Sequence, residues 1–370
     1  MTMAARRSPL RWRTAMAAAA AGGLLAAVPA ARAADSTAEL AIGGLVFTTP
    51  PDVALREETL FISPTDVRAR YVVLNKSQKP ITALVVFPLP DLDARAETFA
   101  SAVIPVEDDA NFIGFSARVD GRPVTAQLEQ TAFGLGLERT ATLRDAGIPL
   151  NPALHATWTA LKALGPEARD GLRVAGLIDL EEAFPGDNRP DQLEPKARWL
   201  LKTTFFWQQL FPAGRETVVE HAYKPSVGIS AGSPLADGAK AAELARYQQR
   251  FCVDDAFVKA AAALKKKLGP DAWLMEKRID YTLLPGGGWG GPSGAFTAVI
   301  DKGNPDALVS FCAEEVKKLS PTQLEARQLS APAGGILSIL ILDQPDGPAN
   351  TAVPADEPPS ASAQERLPRR

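Results

Sequence analysis

Apolar and polar residues alternate with a period of two through much of residues 34–130, which is the pattern of β-strands with one buried face. Residues 67–74 and 81–87 are rich in β-branched side chains and are separated by a polar turn, so we expect them to pair as a hairpin. Residues 115–119 alternate strictly and precede Asp120-Gly121, a dipeptide that favours type I′ turns. The pattern predicts a β-sandwich-like lobe over residues 34–130.

The hydrophobic period then changes to that of helices, and we interpret residues 131–195 as a helical segment that connects two lobes. Short helices are expected over residues 140–146 and 152–164, and another is expected to begin at Pro166. Asn151-Pro152 supports the second of these helices, because Asn is a good N-cap and Pro is favoured at the first helical position.

Strand patterns return after this segment, which predicts a C-terminal β-rich lobe over residues 196–343. Residues 199–210 and 216–223 flank a turn and are expected to form a hairpin. Residues 278–284 and 296–301 flank a glycine-rich loop, and we expect them to form another hairpin.

One helix is predicted inside the C-terminal lobe, over residues 237–268, where Asp254 is suited to be a helix N-cap. Residues 344–370 are rich in Pro, Ala, Ser and Asp and contain few large apolar residues, which predicts a disordered tail. The expected fold class is therefore mainly β (α+β), with two β-sandwich-like lobes, a helical segment between them and a helix inserted in the second lobe.

Residues 1–33 have the three parts of a cleavable export signal. Arginines precede an apolar run over residues 15–28, and small residues flank the expected cleavage position between Ala33 and Ala34. The apolar run is shorter than the roughly 20 residues that a permanent membrane span needs. We therefore expect a periplasmic or secreted mature protein without a transmembrane anchor. The general secretory and twin-arginine routes both remain open.

Charge is distributed unevenly between the predicted export signal and the rest of the chain. Residues 1–33 contain five of the 40 basic residues and none of the 43 acidic residues, which leaves residues 34–370 with a net negative charge. An acidic chain without a basic stripe argues against nucleic acid as a partner.

The two cysteines, Cys252 and Cys312, are expected to pair as one disulfide in an oxidising compartment. Two independently buried free thiols are the alternative. Two cysteines and two histidines without close spacing do not have the pattern of a zinc site. We expect neither a metal nor a cofactor.

Four side chains are candidates for ligand binding. Phe206 and Trp207 lie in an aromatic run, and Trp289 lies in the glycine-rich loop, from which it could stack on a sugar or fold back on the sheet. His221 alternates with two apolar residues on one strand face, which is more typical of a half-buried structural histidine than of a catalytic base. His155 lies in a predicted helix without a nucleophile nearby, and no catalytic residue is predicted.

Several short motifs follow one another in the order found in a known family. They include Glu39-Leu40-Ala41-Ile42-Gly43-Gly44-Leu45, Val86-Phe87-Pro88-Leu89-Pro90-Asp91, Val119-Asp120-Gly121-Arg122-Pro123-Val124, Phe211-Pro212-Ala213-Gly214-Arg215 and Trp289-Gly290-Gly291-Pro292. In this order they resemble an uncharacterised family of exported bacterial proteins, domain of unknown function 4424 (DUF4424), over nearly all of residues 36–343. The resemblance implies an exported protein and supports the export signal. It implies no activity, because none is established for the family.

These observations favour a non-catalytic protein of the cell envelope that binds a partner protein or a glycan. The alternative is a periplasmic hydrolase whose site combines His221 or His155 with distant carboxylates. A third hypothesis is a component of an assembly without a small-molecule ligand. A deep cleft that contains a histidine and a carboxylate would favour the enzyme, whereas a flat aromatic patch would favour the binding protein.

Overall fold

The computed structural model describes residues 40–344 except residue 44 and residues 49–51, 97–98, 100–102, 183–192, 270–271, 284–294 and 328–334. The predicted export signal, the expected cleavage position at Ala33 and Ala34, Trp289 and residues 345–370 of the predicted tail lie outside the described residues. Within the described part of the chain, no helix is long and apolar enough to span a membrane.

The largest sheet in the described residues has eight strands. In spatial order they are β19 (Val316–Lys318), β20 (Gln323–Ala326), β17 (Ala295–Asp301), β3 (Val53–Ile62), β4 (Val67–Asn75), β14 (Glu216–Tyr223), β7 (Ser116–Val119) and β8 (Arg122–Val124). Neighbouring strands are antiparallel except β17 and β3, which are parallel. β7 and β8 form the hairpin predicted around Asp120-Gly121, and both turn residues have the positive φ, 47° and 75°, that a type I′ turn requires.

A six-stranded sheet packs face to face against the eight-stranded sheet. In spatial order its strands are β10 (Leu137–Glu138), β9 (Gln127–Gly134), β13 (Leu200–Phe211), β5 (Ile81–Pro88) and β2 (Val46–Thr48), with β6 (Leu92–Asp93) beside the start of β13. The ring of Phe87 in β5 lies 4.5 Å from that of Phe115, just before β7, and 5.6 Å from that of Tyr223 in β14. This sandwich confirms the expected mainly β fold class.

The helical segment contains the three predicted short helices. They are α1 (Thr140–Asp145), α2 (His155–Ala163) and α3 (Pro166–Val174). A two-stranded sheet of β11 (Ile178–Glu182) and β12 (Leu193–Ala197) follows them, and the sequence pattern did not predict it. The indole N–H of the fully buried Trp199 donates a hydrogen bond of 2.7 Å to the Leu150 carbonyl. This contact ties the helical segment to the start of β13.

A third large sheet has buried residues on both of its faces. Its strands are β1 (Ile42–Gly43), β16 (Met275–Thr282), β21 (Ile336–Asp343) and β18 (Leu308–Phe311), with β15 (Gly228–Ala231) paired to the first half of β16. Along β21, Leu337, Ile339 and Ile341 belong to the main core, whereas Leu340 and Leu342 belong to a second core. Because strand side chains alternate between faces, β21 joins the two cores.

The second core is covered by three helices in place of the single helix predicted over residues 237–268. They are α4 (Pro234–Asp237), α5 (Ala241–Phe251) and α6 (Asp255–Leu268). The chain breaks between α5 and α6 at Cys252, whose left-handed backbone (φ 54°) ends α5. Asp254 caps α6 as predicted, since its side chain accepts a hydrogen bond of 2.7 Å from the Phe257 N–H.

A disulfide joins Cys252 to Cys312, which confirms the predicted pairing. The two Cα atoms lie 5.1 Å apart, over a sequence separation of 60 residues. Beside it, the Ser310 hydroxyl donates a hydrogen bond of 2.8 Å to the Phe251 carbonyl. The end of α5 is therefore held to β18 by both a covalent bond and a hydrogen bond.

Three predicted hairpins are wrong, because the two strands of each pair belong to different sheets. β4 and β14 lie in the eight-stranded sheet, whereas the strands expected to pair with them, β5 and β13, lie in the six-stranded sheet. β16 and β17 are likewise in different sheets. The buried Asn75 holds two of these crossing connections together, since its amide donates hydrogen bonds to the carbonyls of Lys79 (2.8 Å) and Phe211 (2.9 Å).

The two predicted lobes contribute strands to the same sheets. The eight-stranded sheet takes β3, β4, β7 and β8 from residues 34–130 and takes β14, β17, β19 and β20 from residues 196–343. The six-stranded sheet also combines both ranges, because β13 pairs with β5 and β9. The predicted boundaries of the helical segment, at residues 130 and 196, stay predictions. In the described residues, strands from before residue 130 pair with strands from after residue 196.

Candidate functional site

His221, one of the predicted candidates, lies inside the sandwich. Its ring lies 5.1 Å from that of Phe87, 5.7 Å from that of Tyr71 and 5.9 Å from that of Tyr223. Only 2% of the residue is exposed, and neither ring nitrogen has a hydrogen-bond partner among the described residues. Burial lowers the pKa of His221 to about 3, because the charged imidazolium would lose its hydration. The histidine is therefore neutral and packs as an aromatic ring.

Phe206 and Trp207 point to opposite faces of β13. Trp207 is 5% exposed and belongs to the main core, whereas Phe206 is half-buried on the outer face of the six-stranded sheet. The structure therefore does not bring Phe206, Trp207 and His221 to a common surface. Their part in ligand binding, and that of Trp289, stays a prediction.

His155 lies at a cleft of about 760 Å³. The cleft is formed by the segment after β6, the start of α2, β11, β12 and the chain just after β12. This volume is in the range of small-molecule sites in proteins. The side chains at the cleft that carry polar or aromatic groups are Arg95, Phe99, Glu107, His155, Trp158, Glu181, Lys196 and Arg198.

The start of α2 is fixed by two carboxylates of the segment between β6 and β7. The Glu107 carboxylate accepts a hydrogen bond of 2.8 Å from the His155 backbone N–H, and the Asp109 carboxylate accepts one of 2.8 Å from the Asn151 N–H. Glu107 thus satisfies one of the N–H groups that an α-helix leaves unpaired at its N-terminus. It also places His155 and Trp158, three residues apart, on the side of α2 that borders the cleft, with 5.3 Å between their rings.

Trp158 is 38% exposed, and its orientation is fixed by a neighbouring cation. The Lys162 ammonium lies 4.3 Å from the centre of the Trp158 ring, within cation–π distance. The same ammonium lies 2.8 Å from the Glu194 carboxylate, and this hydrogen bond lowers the pKa of Glu194. Trp158 is thus a large aromatic surface held in place at the edge of the cleft.

The arginines of the cleft are paired with carboxylates. The Arg95 guanidinium makes two hydrogen bonds of 2.7 Å to Asp93, and these bonds lower the pKa of Asp93. Arg198 lies 2.8 Å from the Asp179 carboxylate and also bonds Glu181. The walls therefore offer hydrogen-bond donors and acceptors side by side.

An exposed indole next to such paired groups can stack on the apolar face of a ring while its substituents are hydrogen-bonded. No group of His, Cys, Asp and Glu side chains in the described ranges could hold a metal ion. Sequence reasoning singled out His155 but missed Trp158, Arg95 and Arg198. The spacing of three residues between His155 and Trp158 was the visible clue, because it places both side chains on one helix face.

The comparisons with known proteins identify a family. The family model described as Domain of unknown function (DUF4424) matches residues 33–330. No curated protein sequence matches the chain.

Two solved structures are similar to a smaller degree. One is from Legionella pneumophila subsp. pneumophila and carries the provisional name of a nutrient binding protein. Its sequence is 11% identical to this one, the TM-score is 0.42, and the match covers 84% of this chain and 72% of that chain. The other is an M1 zinc metallopeptidase from Deinococcus radiodurans, 8% identical with a TM-score of 0.23, over 79% of this chain and 43% of that chain. Both TM-scores lie below 0.5, so neither similarity bears on function.

Proposed function

The chain belongs to the family described as Domain of unknown function (DUF4424), and we propose that it is a non-catalytic binding protein of the cell envelope that holds a glycan in the cleft beside Trp158. The observation that carries this proposal is the exposed indole of Trp158, which Lys162 holds against the cleft at 4.3 Å. Aromatic rings that combine an exposed face with a fixed orientation bind well because little conformational entropy is lost.

The charge pattern of the cleft favours a neutral, polar ligand. Arg95 and Arg198 are each paired with carboxylates at 2.7–2.8 Å, so neither sign of charge is left in clear excess. Sugar hydroxyls both donate and accept hydrogen bonds, and therefore match a wall that presents guanidinium donors beside carboxylate acceptors.

The proposed location outside the cytoplasm rests on two independent features. Residues 1–33 have the pattern of a cleavable export signal. The disulfide between Cys252 and Cys312 is of the kind that persists in oxidising compartments such as the periplasm.

The hydrolase hypothesis keeps one supporting observation, because His155 and Glu107 border the same cleft. Glu107, however, already accepts the backbone N–H of His155 at 2.8 Å, which is a helix-capping role. The neutral, buried His221 is not a suitable general base near neutral pH, since burial lowers its pKa to about 3. Binding without turnover is therefore the better account of this cleft.

Calorimetric titration of residues 34–370 with a panel of neutral hexose and N-acetylhexosamine oligosaccharides tests the proposal. We expect at least one of them to bind, and we expect Trp158→Ala to weaken that binding by about tenfold, as loss of an aromatic contact does. Trp273→Ala is the matched control, since Trp273 is 41% exposed and does not border the cleft.

Absence of binding across the panel, or equal losses in the two variants, would contradict the proposal. Chromatography of the same mixtures after long incubation separates binding from hydrolysis. Shortened products that disappear in Glu107→Gln would favour the hydrolase.

A further inference from the structure

An open groove of about 570 Å³ lies on the outer face of the eight-stranded sheet, away from the cleft described above. It crosses β3, β4, β14 and β7. The strand register places two rows of side chains across it. In one row Thr59, Arg70, Glu220 and Arg118 are cross-strand neighbours, and in the other Phe61, Arg68, Ala222 and Ser116 are neighbours.

Side-chain size explains why this sheet face is concave. Ala222 and Ser116 are small, whereas Arg68 and Arg118 beside them are long and exposed. The residues between the rows, such as His221, point inward to the core and leave only their backbone at the groove. The groove therefore has a floor of small residues and walls of arginines.

The three arginines give the groove an excess of positive charge. Arg70 lies 3.6 Å from Glu57, a pair in which both side chains are more than two-fifths exposed. The Arg68 guanidinium lies over the Phe61 ring, with its carbon 4.2 Å from the ring centre. Within the described residues, neither Arg68 nor Arg118 has a carboxylate partner. Such a cluster is unusual on a chain whose residues 34–370 are net acidic.

We propose that this groove binds an extended acidic peptide of a partner protein, with carboxylates at alternate residues. Arg68 and Arg70 are two residues apart on one strand, so they stand about 6.7 Å apart along it. Carboxylates at positions i and i+2 of an extended peptide have the same spacing. The Glu220 carboxylate, which lies between the strands that carry Arg70 and Arg118, can accept peptide N–H groups.

This site differs from the glycan cleft in both chemistry and place, so it does not depend on the proposed function. Charge complementarity selects the peptide, because a neutral sugar would leave Arg68 and Arg118 without an anionic partner. The stacking of Arg68 on Phe61 orients its N–H groups before the peptide binds, which reduces the entropy lost on binding.

Fluorescence anisotropy with a labelled peptide of alternating Glu and Thr tests the proposal on residues 34–370. We expect saturable binding that weakens between 50 and 200 mM salt, as charge pairing at a surface does. Arg68→Gln and Arg118→Gln should each weaken binding about three- to fivefold, and together more than tenfold. Arg246→Gln is the matched control, because Arg246 is an exposed arginine on α5 outside the groove. Its effect should stay below twofold.

Four results would overturn the proposal: no binding of the peptide, equal binding of a peptide with Gln in place of Glu, equal losses for Arg246→Gln and the groove variants, or binding of inorganic phosphate or polygalacturonate in place of the peptide. Trp158→Ala should leave peptide affinity unchanged. Failure of the glycan cleft is therefore distinguishable from failure of the acidic-peptide groove.

Discussion

The imidazole of His221 lies 5.1 Å from the ring of Phe87, across the space between the eight-stranded and six-stranded sheets. The ring of Tyr71 lies 5.7 Å from the imidazole. In the centre of the sandwich, the histidine therefore packs as an apolar aromatic side chain would. Neither of its nitrogens has a hydrogen-bond partner in the described part of the chain. A buried polar group without a partner destabilises the folded state, so this position is optimised for shape and not for polarity.

We expect His221→Phe to keep or raise stability at pH 7.5 and to reduce the sensitivity of the protein to acid. The folded-state pKa of His221 is about 3, below its usual value of 6.5, so the unfolded chain binds the proton more tightly. Stability is therefore lost as the pH falls from about 6.5 towards 3, by roughly 2–3 kcal/mol between pH 6.5 and 4.5. Urea unfolding of both proteins at pH 7.5 and 4.5 measures the difference, and parallel pH profiles would contradict the prediction.

The buried carboxyl of Glu58 should give stability the opposite pH dependence, so a variant of Glu58 is the control for His221→Phe. Burial raises the pKa of Glu58 to about 7, so the folded state binds its proton more tightly than the unfolded chain does. Stability from this group is present below its unfolded pKa of about 4.5 and is lost as the pH rises to 7. Glu58→Gln should therefore stabilise the protein at pH 7.5 more than at pH 4.5, the reverse of His221→Phe.

Removal of the disulfide should destabilise the protein without altering its fold. The bond between Cys252 and Cys312 closes a loop with a sequence separation of 60 residues, for which the chain-entropy model gives about 4 kcal/mol. We expect the double variant Cys252→Ser, Cys312→Ser to lose 2–4 kcal/mol in urea unfolding. Dithiothreitol should cause a similar loss in the unaltered protein and none in the variant. Alkylation of both thiols in native, unreduced protein would show that the bond is absent.

Trp199→Phe should weaken the attachment of the helical segment to the sandwich. It removes the donor of the 2.7 Å hydrogen bond to the Leu150 carbonyl and leaves that carbonyl without its partner in a buried site. We expect a loss of about 1–3 kcal/mol in the free energy of unfolding. Trp273→Phe, at a position that is 41% exposed, should change it by less than about 0.5 kcal/mol. Equal effects of the two substitutions would argue against the anchoring role of Trp199.

Export should remove residues 1–33. N-terminal sequencing of protein recovered from the periplasm should begin at Ala34, because small residues precede this bond. Ala33→Leu should stop processing, whereas Ala38→Leu, beyond the expected site, should not. Exported protein that retains residues 1–33 would defeat the prediction.

Features that depend on a few neighbouring residues were predictable. Asp120-Gly121 indicates a tight hairpin because both residues accept positive φ, and Asp254 caps α6 because its carboxylate reaches an N–H three residues on. The three short helices of the connecting segment were likewise indicated by local period. The start predicted for the second of them is wrong, because α2 begins at His155 after Leu154, and the Asn151 side chain accepts a hydrogen bond of 3.0 Å from the Ala153 N–H ahead of the helix.

The candidate site was predictable only at one wall. His155 and Trp158 share a helix face by spacing alone, so the sequence could have paired them. Arg95, Glu107 and Arg198 reach the same cleft from three other segments, and no local pattern relates them to α2. The groove proposed to bind an acidic peptide could not be predicted from local sequence either. Arg68 and Arg118 lie on the same sheet face only because β4 and β7 both pair with β14.

By itself, the sequence determined many of the strands, the three short helices of the connecting segment, the mainly β class, the pairing of the two cysteines and the family. It did not determine the β11–β12 sheet or the division of residues 237–268 into three helices. Apart from the β7–β8 hairpin, which Asp120-Gly121 indicates, the tertiary structure decided which strands pair. Residues 67–75 and 81–88 have the pattern of a hairpin, yet Asn75 bonds the Phe211 carbonyl, 136 residues away, and the chain crosses to the other sheet. A hairpin and a crossing connection bury the same alternating side chains, so hydrophobic period cannot distinguish them. The choice depends on hydrogen bonds and core contacts between distant segments, which exist only once the chain is folded.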